Sequence, residues 1–591
     1  MSVSNRKKKY IQAHYPRRSV KELAKALNLS PDQVEQVLQE LRLKPEKAIV
    51  GVETGKSASQ LKLGLSLGII IFLAFLVYLP ALSAGFIADD HSLILKNPLV
   101  IGKDPIWKSF TSEYWSITGR KSSFYRPLTT LSYWLDYKFY QEKSIGFHLT
   151  NILLHIFCSG LVFLCIYQWC GNYFLALITG LSFALHPAHT QSVSWISGRT
   201  DVLATFFMLT SFYFYLFSKI KTSSGRFLIL SALFFFFSLL SKELAIVFPI
   251  LIILLDLAQE RKVKLLIRKH IKFYLSFFVV ICFYLLLRYL VLGEIEAGRN
   301  NWLNWYPGQK LDVSRVATIF KVYCYYLKTL LYPINLCFES KLSPSSLWLD
   351  PKLLSSLVII LLVIFFSGFA WFRLPYLGTG LSWFFVSLLP VSQIIALPDL
   401  TMEHFLYLPS IGFSVALAVI VENAHQFLSK KFAPSKFLAP FLLGIIMIFY
   451  SGLTWQRNFI YHNELRLWAD VSLKAPERKH GEKRIARSFY EKGDKRTALK
   501  HFRRAIIADA RDYEAYFYVG KILAELGETQ KAVEHYQTAL NINPHFSPAL
   551  LNLAELYLDL ILCDDAKKLY QLMKADAPPD FAQRLNQKCP R

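Results

Sequence analysis

Eleven apolar runs constrain this chain more than any other feature: 61–84, 149–169, 173–188, 202–218, 227–241, 243–257, 271–291, 354–372, 376–398, 405–423 and 436–453. A helix needs about 20 apolar residues to cross a bilayer core, and in lipid its backbone polar groups must be satisfied internally. Runs near that length, repeated along one chain, predict an all-α, polytopic bundle of about eleven spans. Composition agrees, because 53% hydrophobic and 15% aromatic residues exceed what one soluble core absorbs. The first run is longer than the apolar region of a signal peptide, so it is expected to stay as a span.

Charge orients the bundle. Arg6, Lys7, Lys8, Lys9, Arg17 and Arg18 precede the first run, which keeps the N-terminus cytoplasmic. The basic turns then fall inside as well: Lys219 and Lys221 with Arg226, Arg261 and Lys264 with Arg268, Lys269 and Lys272, then Arg373, then Lys430 and Lys431 with Lys436. An odd number of spans leaves everything after residue 453 outside, and the stretch 313–332 is expected to lie along the outer surface. Most of the net charge of +25 is thereby explained by topology, so no nucleic-acid partner is expected. The eight cysteines are scattered, with no metal spacing and no disulfide framework.

Three domains follow: a cytoplasmic head over 1–60, a membrane domain over 61–455 and an extracytoplasmic domain over 456–591. In the head, residues 19–27 and 31–42 read as two short helices around Ser30, an N-cap, and Pro31, which suits a first helical position. The pair resembles a helix-turn-helix and is read as a small docking element, followed by a flexible linker with Gly51 and Gly55. In the last domain a period of 34 residues relates Tyr516, Val519, Gly520, Leu523, Ala532, Tyr536, Ala539 and Pro544 to residues 34 later and 34 earlier. This is the tetratricopeptide pattern, with small residues where paired helices approach, and three such units can build a concave, peptide-binding face.

Chemistry is expected in the membrane domain. Asp89 and Asp90 emerge directly after the first span, where desolvating charge is expensive and a carboxylate pair marks a functional site. A carboxylate there could take a proton from an attacking hydroxyl or hold a divalent cation against a phosphate. A phosphate would need cations, and Arg126, Arg199 and Lys242 stand in outer loops, the last two near Asp201 and Glu243. His186 and His189 could share a helix face, but Pro187 interrupts it, so they are read as hydrogen-bonding groups beside the donor rather than metal ligands.

Phe86-Ile-Ala-Asp89-Asp90, the segment 186–201, Lys242-Glu243, Glu403-His-Phe-Leu-Tyr407-Leu-Pro409-Ser-Ile-Gly and the downstream repeats together resemble the transmembrane and tetratricopeptide-repeat containing O-mannosyltransferases and their prokaryotic relatives. The similarity runs in the same order over roughly 62–580. It implies a GT-C glycosyltransferase with a polyprenyl-phosphate-linked sugar donor, an acceptor protein on the outer face and an inverting displacement. Asp89 would be the base, Asp90 would orient sugar or acceptor, and Arg126, His186, His189, Arg199, Asp201, Lys242, Glu243, Glu403 and His404 would line the donor site. No cofactor is required on this reading, although a divalent cation at Asp89 is possible chemistry. His404 stands where relatives typically have Arg, which leaves the expected cation unaccounted for. Two alternatives stay open: a catalytically silent scaffold that displays its repeats to an envelope complex, and a transferase acting on lipid or glycan. In a bacterium the repeats would be periplasmic.

Overall fold

The computed structural model describes residues 4–14, 20–41, 56–116, 123–220, 224–260, 263–293, 313–339, 342, 351–394, 397, 399–431, 438–476, 480–573 and 578–590. Among these every regular element is helical. The linker with Gly51 and Gly55 lies outside the described residues, as do Arg17, Arg18, Lys221, Arg261 and Lys436 of the charge reading.

Among the described residues six helices are long and apolar enough to cross a membrane: Gln60–Ser83, Ser144–Cys170, Ile196–Lys219, Leu266–Leu292, Pro351–Arg373 and Pro409–Ser429. Tyr173–Leu185, Gly225–Ser241 and Pro375–Val391 are apolar but shorter. The remaining runs fall on Phe248–Glu260 and Leu438–Asn458, so among the described residues each apolar run lies mainly on helix. The chain is a membrane protein, and side chains such as Leu275, Phe278, Val279, Leu362 and Phe365 stay exposed on its outer helices.

Local chemistry sets the joints. Ser144–Cys170 ends on Gly171, whose φ of +67° makes a left-handed C-cap, and Asn172 caps the next helix by accepting from the Leu175 N–H at 3.1 Å. Two helices therefore fold back on each other through a very short turn. Elsewhere small residues decide the packing. A Cβ on Gly380 would lie 2.7 Å from the Gly412 carbonyl, and one on Gly412 would lie 2.4 Å from that of Gly380. The helices Pro375–Leu388 and Pro409–Lys431 meet backbone to backbone there, as small residues permit in lipid.

The described residues of the segment 85–148 pack together, with Leu93, Ile94, Val100, Tyr114, Tyr133 and Phe147 around Ile196. The stretch expected along the surface is the helix Val313–Leu331, which buries Val322, Tyr326 and Leu330 against Phe384, Leu388 and Leu406.

Beyond the membrane domain three helix pairs follow: His480–Glu491 with Lys495–Ala508, Tyr513–Glu525 with Thr529–Ile542, and Ser547–Asp559 with Cys563–Met573. A Cβ on Gly520 would meet the Tyr536 ring at 2.9 Å, which is why the repeat carries glycine there. Ile87 of the first outer loop shares a core with Trp195, Phe338, Tyr461, Trp468 and Ile485. The repeats are thus packed onto the outer loops.

Two expectations change. Cys563 and Cys589 form a disulfide across 26 residues, which scattered spacing does not reveal because the helix Pro579–Lys588 folds back to bring them together. The head has a third helix, Asn5–His14, whose Ile11 completes a core with Leu23, Val34, Val37 and Leu38. Two helices alone bury too little apolar surface to hold a fold.

Candidate functional site

The two adjacent carboxylates have different surroundings. Asp90 is fully buried: Oδ2 accepts from the Ile87 N–H at 3.0 Å, and Oδ1 accepts from the Ser197 N–H at 2.8 Å and from the Ser197 hydroxyl. Gly198 lets this segment approach so closely, because a Cβ there would sit 2.4 Å from the Gln191 carbonyl. Asp89 is only half-buried, and among the described residues its carboxylate accepts no hydrogen bond. Burial raises the pKa of both, Asp89 to about 6 and Asp90 to about 7. Three charged groups act on Asp89 from around it: Arg484 of the first repeat favours its ionised form, while Asp399 and Glu464 oppose it.

Ala88 has a φ of +50°, a left-handed conformation that is costly for a residue with a Cβ. Its N–H donates to Glu464 Oε1 at 2.6 Å, and Trp468 Nε1 donates to the other oxygen. A residue beyond the last span thus holds the turn that presents Asp89.

Of the expected cations, two come together. Lys242 Nζ donates to both oxygens of Asp201 at 2.7 Å, deep in the fold. Arg126 grips Glu243 with two donors, Nε at 3.0 Å and Nη2. Burial lowers the Lys242 pKa against the opposing pull of Asp201, whereas for Glu243 the Arg126 charge outweighs burial and holds its carboxyl at about 2. The Arg126 guanidinium lies over the rings of Phe124 at 4.5 Å and Tyr114 at 5.4 Å, and Tyr114 in turn feels the charges of Asp89 and Asp90. Lys242 and Asp201 border a small cavity with Thr205, Ser238, Phe405 and Leu408.

Arg199 is placed apart. It is fully buried, donating to Asn151 Oδ1 at 2.6 Å and to the carbonyls of Phe147 at 2.9 Å and Ser132 at 3.2 Å, and it pairs with Asp136. In this arrangement its donors are taken up by the protein itself, and it ties three helices together, Pro127–Tyr140, Ser144–Cys170 and Arg199–Ile220. His186 and His189 are likewise buried. His186 Nδ1 accepts from the Ala188 N–H at 3.2 Å while Nε2 faces the Leu330 carbonyl at 3.1 Å, and His189 Nε2 meets the Ser410 hydroxyl at 2.8 Å. Among the described residues no three His, Cys, Asp or Glu side chains are grouped to hold a metal ion.

Glu403 finds the cation that its neighbour does not supply. Its Oε2 accepts from Arg457 Nη2 at 3.0 Å, and Arg457 also reaches Asp470 at 3.4 Å. His404 turns its half-buried ring toward Trp195 and Phe405, and burial, with Lys242 and Arg126 nearby, keeps it neutral. Sequence reasoning missed Ser197, Glu464 and Arg457. Ser197 stands inside a segment already singled out, but Glu464 reaches Ala88 across 376 residues and Arg457 reaches Glu403 across 54, and neither carries a local signal.

Tetratricopeptide repeat models match residues 483–548 and 523–585. A protein O-mannosyl-transferase of Caenorhabditis elegans is 27% identical over 81% of this chain and 63% of its own length. Protein O-mannosyl-transferase TMTC3 of Homo sapiens is 24% identical over 80% of this chain and 54% of its own length, and Tmtc1 of Drosophila melanogaster is 34% identical over 29% and 20%. The chain therefore spans little more than half the length of the relatives it matches most extensively. This chain is a tetratricopeptide-repeat membrane protein that resembles the protein O-mannosyl-transferases over four-fifths of its length.

Proposed function

We propose that the protein transfers a sugar, mannose by its relatives' names, from a polyprenyl-phosphate donor to a protein hydroxyl on the extracytoplasmic side. The observation that carries this reading is Asp89: half-exposed, free of hydrogen-bond donors, and held on a strained turn beside a buried, immobilised Asp90. A general base must reach its substrate, so its lone pairs must not be taken by the protein. Asp90 instead ties the first outer loop to the segment 195–198 and fixes where Asp89 points.

In the reaction the acceptor hydroxyl attacks the anomeric carbon and yields its proton to Asp89. A new carbon–oxygen bond forms as the bond to the phosphate oxygen breaks, and polyprenyl phosphate leaves from the opposite face, which inverts the configuration. Arg126 and Lys242, already set against Glu243 and Asp201, neutralise the charge that grows on the phosphate. His404, kept neutral beside them, can donate a hydrogen bond without adding charge. A divalent cation, were one bound, would be held by Asp89 and would supply Lewis-acid stabilisation of the phosphate.

Two observations support this side of the membrane. The repeats pack against the loop that bears Asp89, and their disulfide suits an oxidising compartment. The full chain in liposomes, given a polyprenyl-phosphate-mannose and a serine- or threonine-containing polypeptide, should form a mannosylated product. Asp89→Asn should lower that rate by about 10³-fold or more, in line with the loss of a general base. An unchanged rate in Asp89→Asn would sink the assignment of the base, and the absence of any product with the unaltered protein would favour a scaffold.

A further inference from the structure

The first helices of the first two repeats, His480–Glu491 and Tyr513–Glu525, lie side by side, and cations sit on rings in succession along them. The Arg484 guanidinium is 5.4 Å from the Trp468 ring, that of Arg487 is 5.9 Å from Tyr518, and Lys521 Nζ is 5.3 Å from Tyr490. Tyr490 and Tyr518 are themselves 5.8 Å apart, so these pairs interlock into one strip.

One end of the strip is at the proposed catalytic centre. Trp468 bonds to Glu464, Glu464 holds Ala88, and Ile485 beside Arg484 shares a core with Ile87. The strip also carries carboxylates, but protein cations already occupy them. Glu514 faces Lys483 at 2.9 Å, Glu525 faces Lys495 at 3.0 Å and the Tyr490 hydroxyl, and Glu491 takes Arg487 Nε at 3.1 Å. Among the described residues neither Arg484 nor Lys521 makes such a contact ion pair; each lies over a ring, and carboxylates act on it only from further off. A cation held over a ring keeps its outward donors and attraction for an anion, and an aromatic face beside it offers apolar contact.

We propose that this strip binds an extended polypeptide carrying acidic side chains beside the hydroxyl that is to be modified. The inference rests on the transferase reading for the word hydroxyl, but the binding itself does not depend on transfer. Charge complementarity selects the occupant. Cations on two neighbouring helices, held over rings rather than in contact ion pairs, match carboxylates spaced along an extended chain, and the rings between them suit its apolar stems. Arg484 then has a second effect, because the charge that draws the acceptor in also favours the ionised base.

The test measures binding directly. The full chain in nanodiscs is titrated against a fluorescent peptide alternating serine with glutamate, and against the same peptide with glutamine, by anisotropy at low and high salt. The glutamate peptide should bind at least about tenfold tighter at low salt, with the gap closing as salt screens the charges. Arg484→Gln and Lys521→Gln should each weaken it by several-fold, whereas Lys531→Gln on the second helix of its repeat should leave it unchanged. Equal binding of the two peptides to the unaltered protein would overturn the proposal whatever the variants do. So would tight binding that Arg484→Gln and Lys521→Gln leave intact. Selective binding with no transfer would instead leave the strip standing and remove the transferase reading.

Discussion

Arg199 and Arg126 look alike in the sequence, each an arginine in an outer loop near a carboxylate, yet the fold treats them as opposites. Arg199 has no exposure and spends its donors on Asn151, Phe147, Ser132 and Asp136. Arg126 retains some exposure, pairs with one carboxylate and lies beside Lys242, Tyr114 and His404. A saturated buried cation holds segments together, and a partly satisfied one at a cleft is available to a ligand. The distinction is set by how many partners the surrounding backbone supplies, which sequence neighbours do not reveal.

The largest expected effect breaks the first region. Arg199→Gln leaves Asp136 buried without its cation, and such a loss typically destabilises by about 3–5 kcal/mol. Thermal melting in detergent should show it, together with a fall in folded yield. A melt unchanged by Arg199→Gln would erase the contrast from that side.

The second region should respond in rate rather than stability. Arg126→Gln is expected to lower transfer by about 10²-fold, the scale of losing one charge-stabilising donor in a water-poor site. Its melting point should fall far less than that of Arg199→Gln, because Arg126 and Glu243 each keep some contact with solvent. Equal stability losses in the two variants would show both arginines to be structural.

The smallest effect concerns pH. With Asp89 at about 6, transfer should rise roughly tenfold per pH unit below that value and level off above it, since the base must be ionised. Stability should move the other way. Asp90 holds its proton more tightly in the folded chain, at about 7 against an ordinary 3.8, so its contribution is present at low pH and is lost as pH rises through about 7. The melting point of Asp90→Asn should therefore be flatter across pH 5–8 than that of the unaltered protein, and an identical slope would remove Asp90 as its source.

Apolar periodicity made the helices legible, including the short ones, because a backbone in lipid must close its own hydrogen bonds wherever it runs. The repeats were equally open to reading: Gly520, Ala532 and Tyr536 meet within one unit, so the contact that selects them is local in sequence. The third helix of the head and the disulfide at Cys563 and Cys589 were not legible, since each depends on a segment folding back onto another. At the site, motif positions marked loops but not the contacts their residues make.

What the sequence by itself determined was the membrane-bound, all-helical nature of the chain, its tetratricopeptide repeats, and the importance of the turn at Asp89 and Asp90. Each follows from short-range facts: the energetic demand of lipid on a backbone, the fit of small residues between paired helices, and the expense of charge beside a span. Only the tertiary structure decided which carboxylate is free, that Ser197 binds the other, that Arg457 answers Glu403, and that Arg484 of the first repeat stands over the cleft. Those outcomes depend on which polar partners meet after the segments between them have packed, and no local pattern encodes such a meeting.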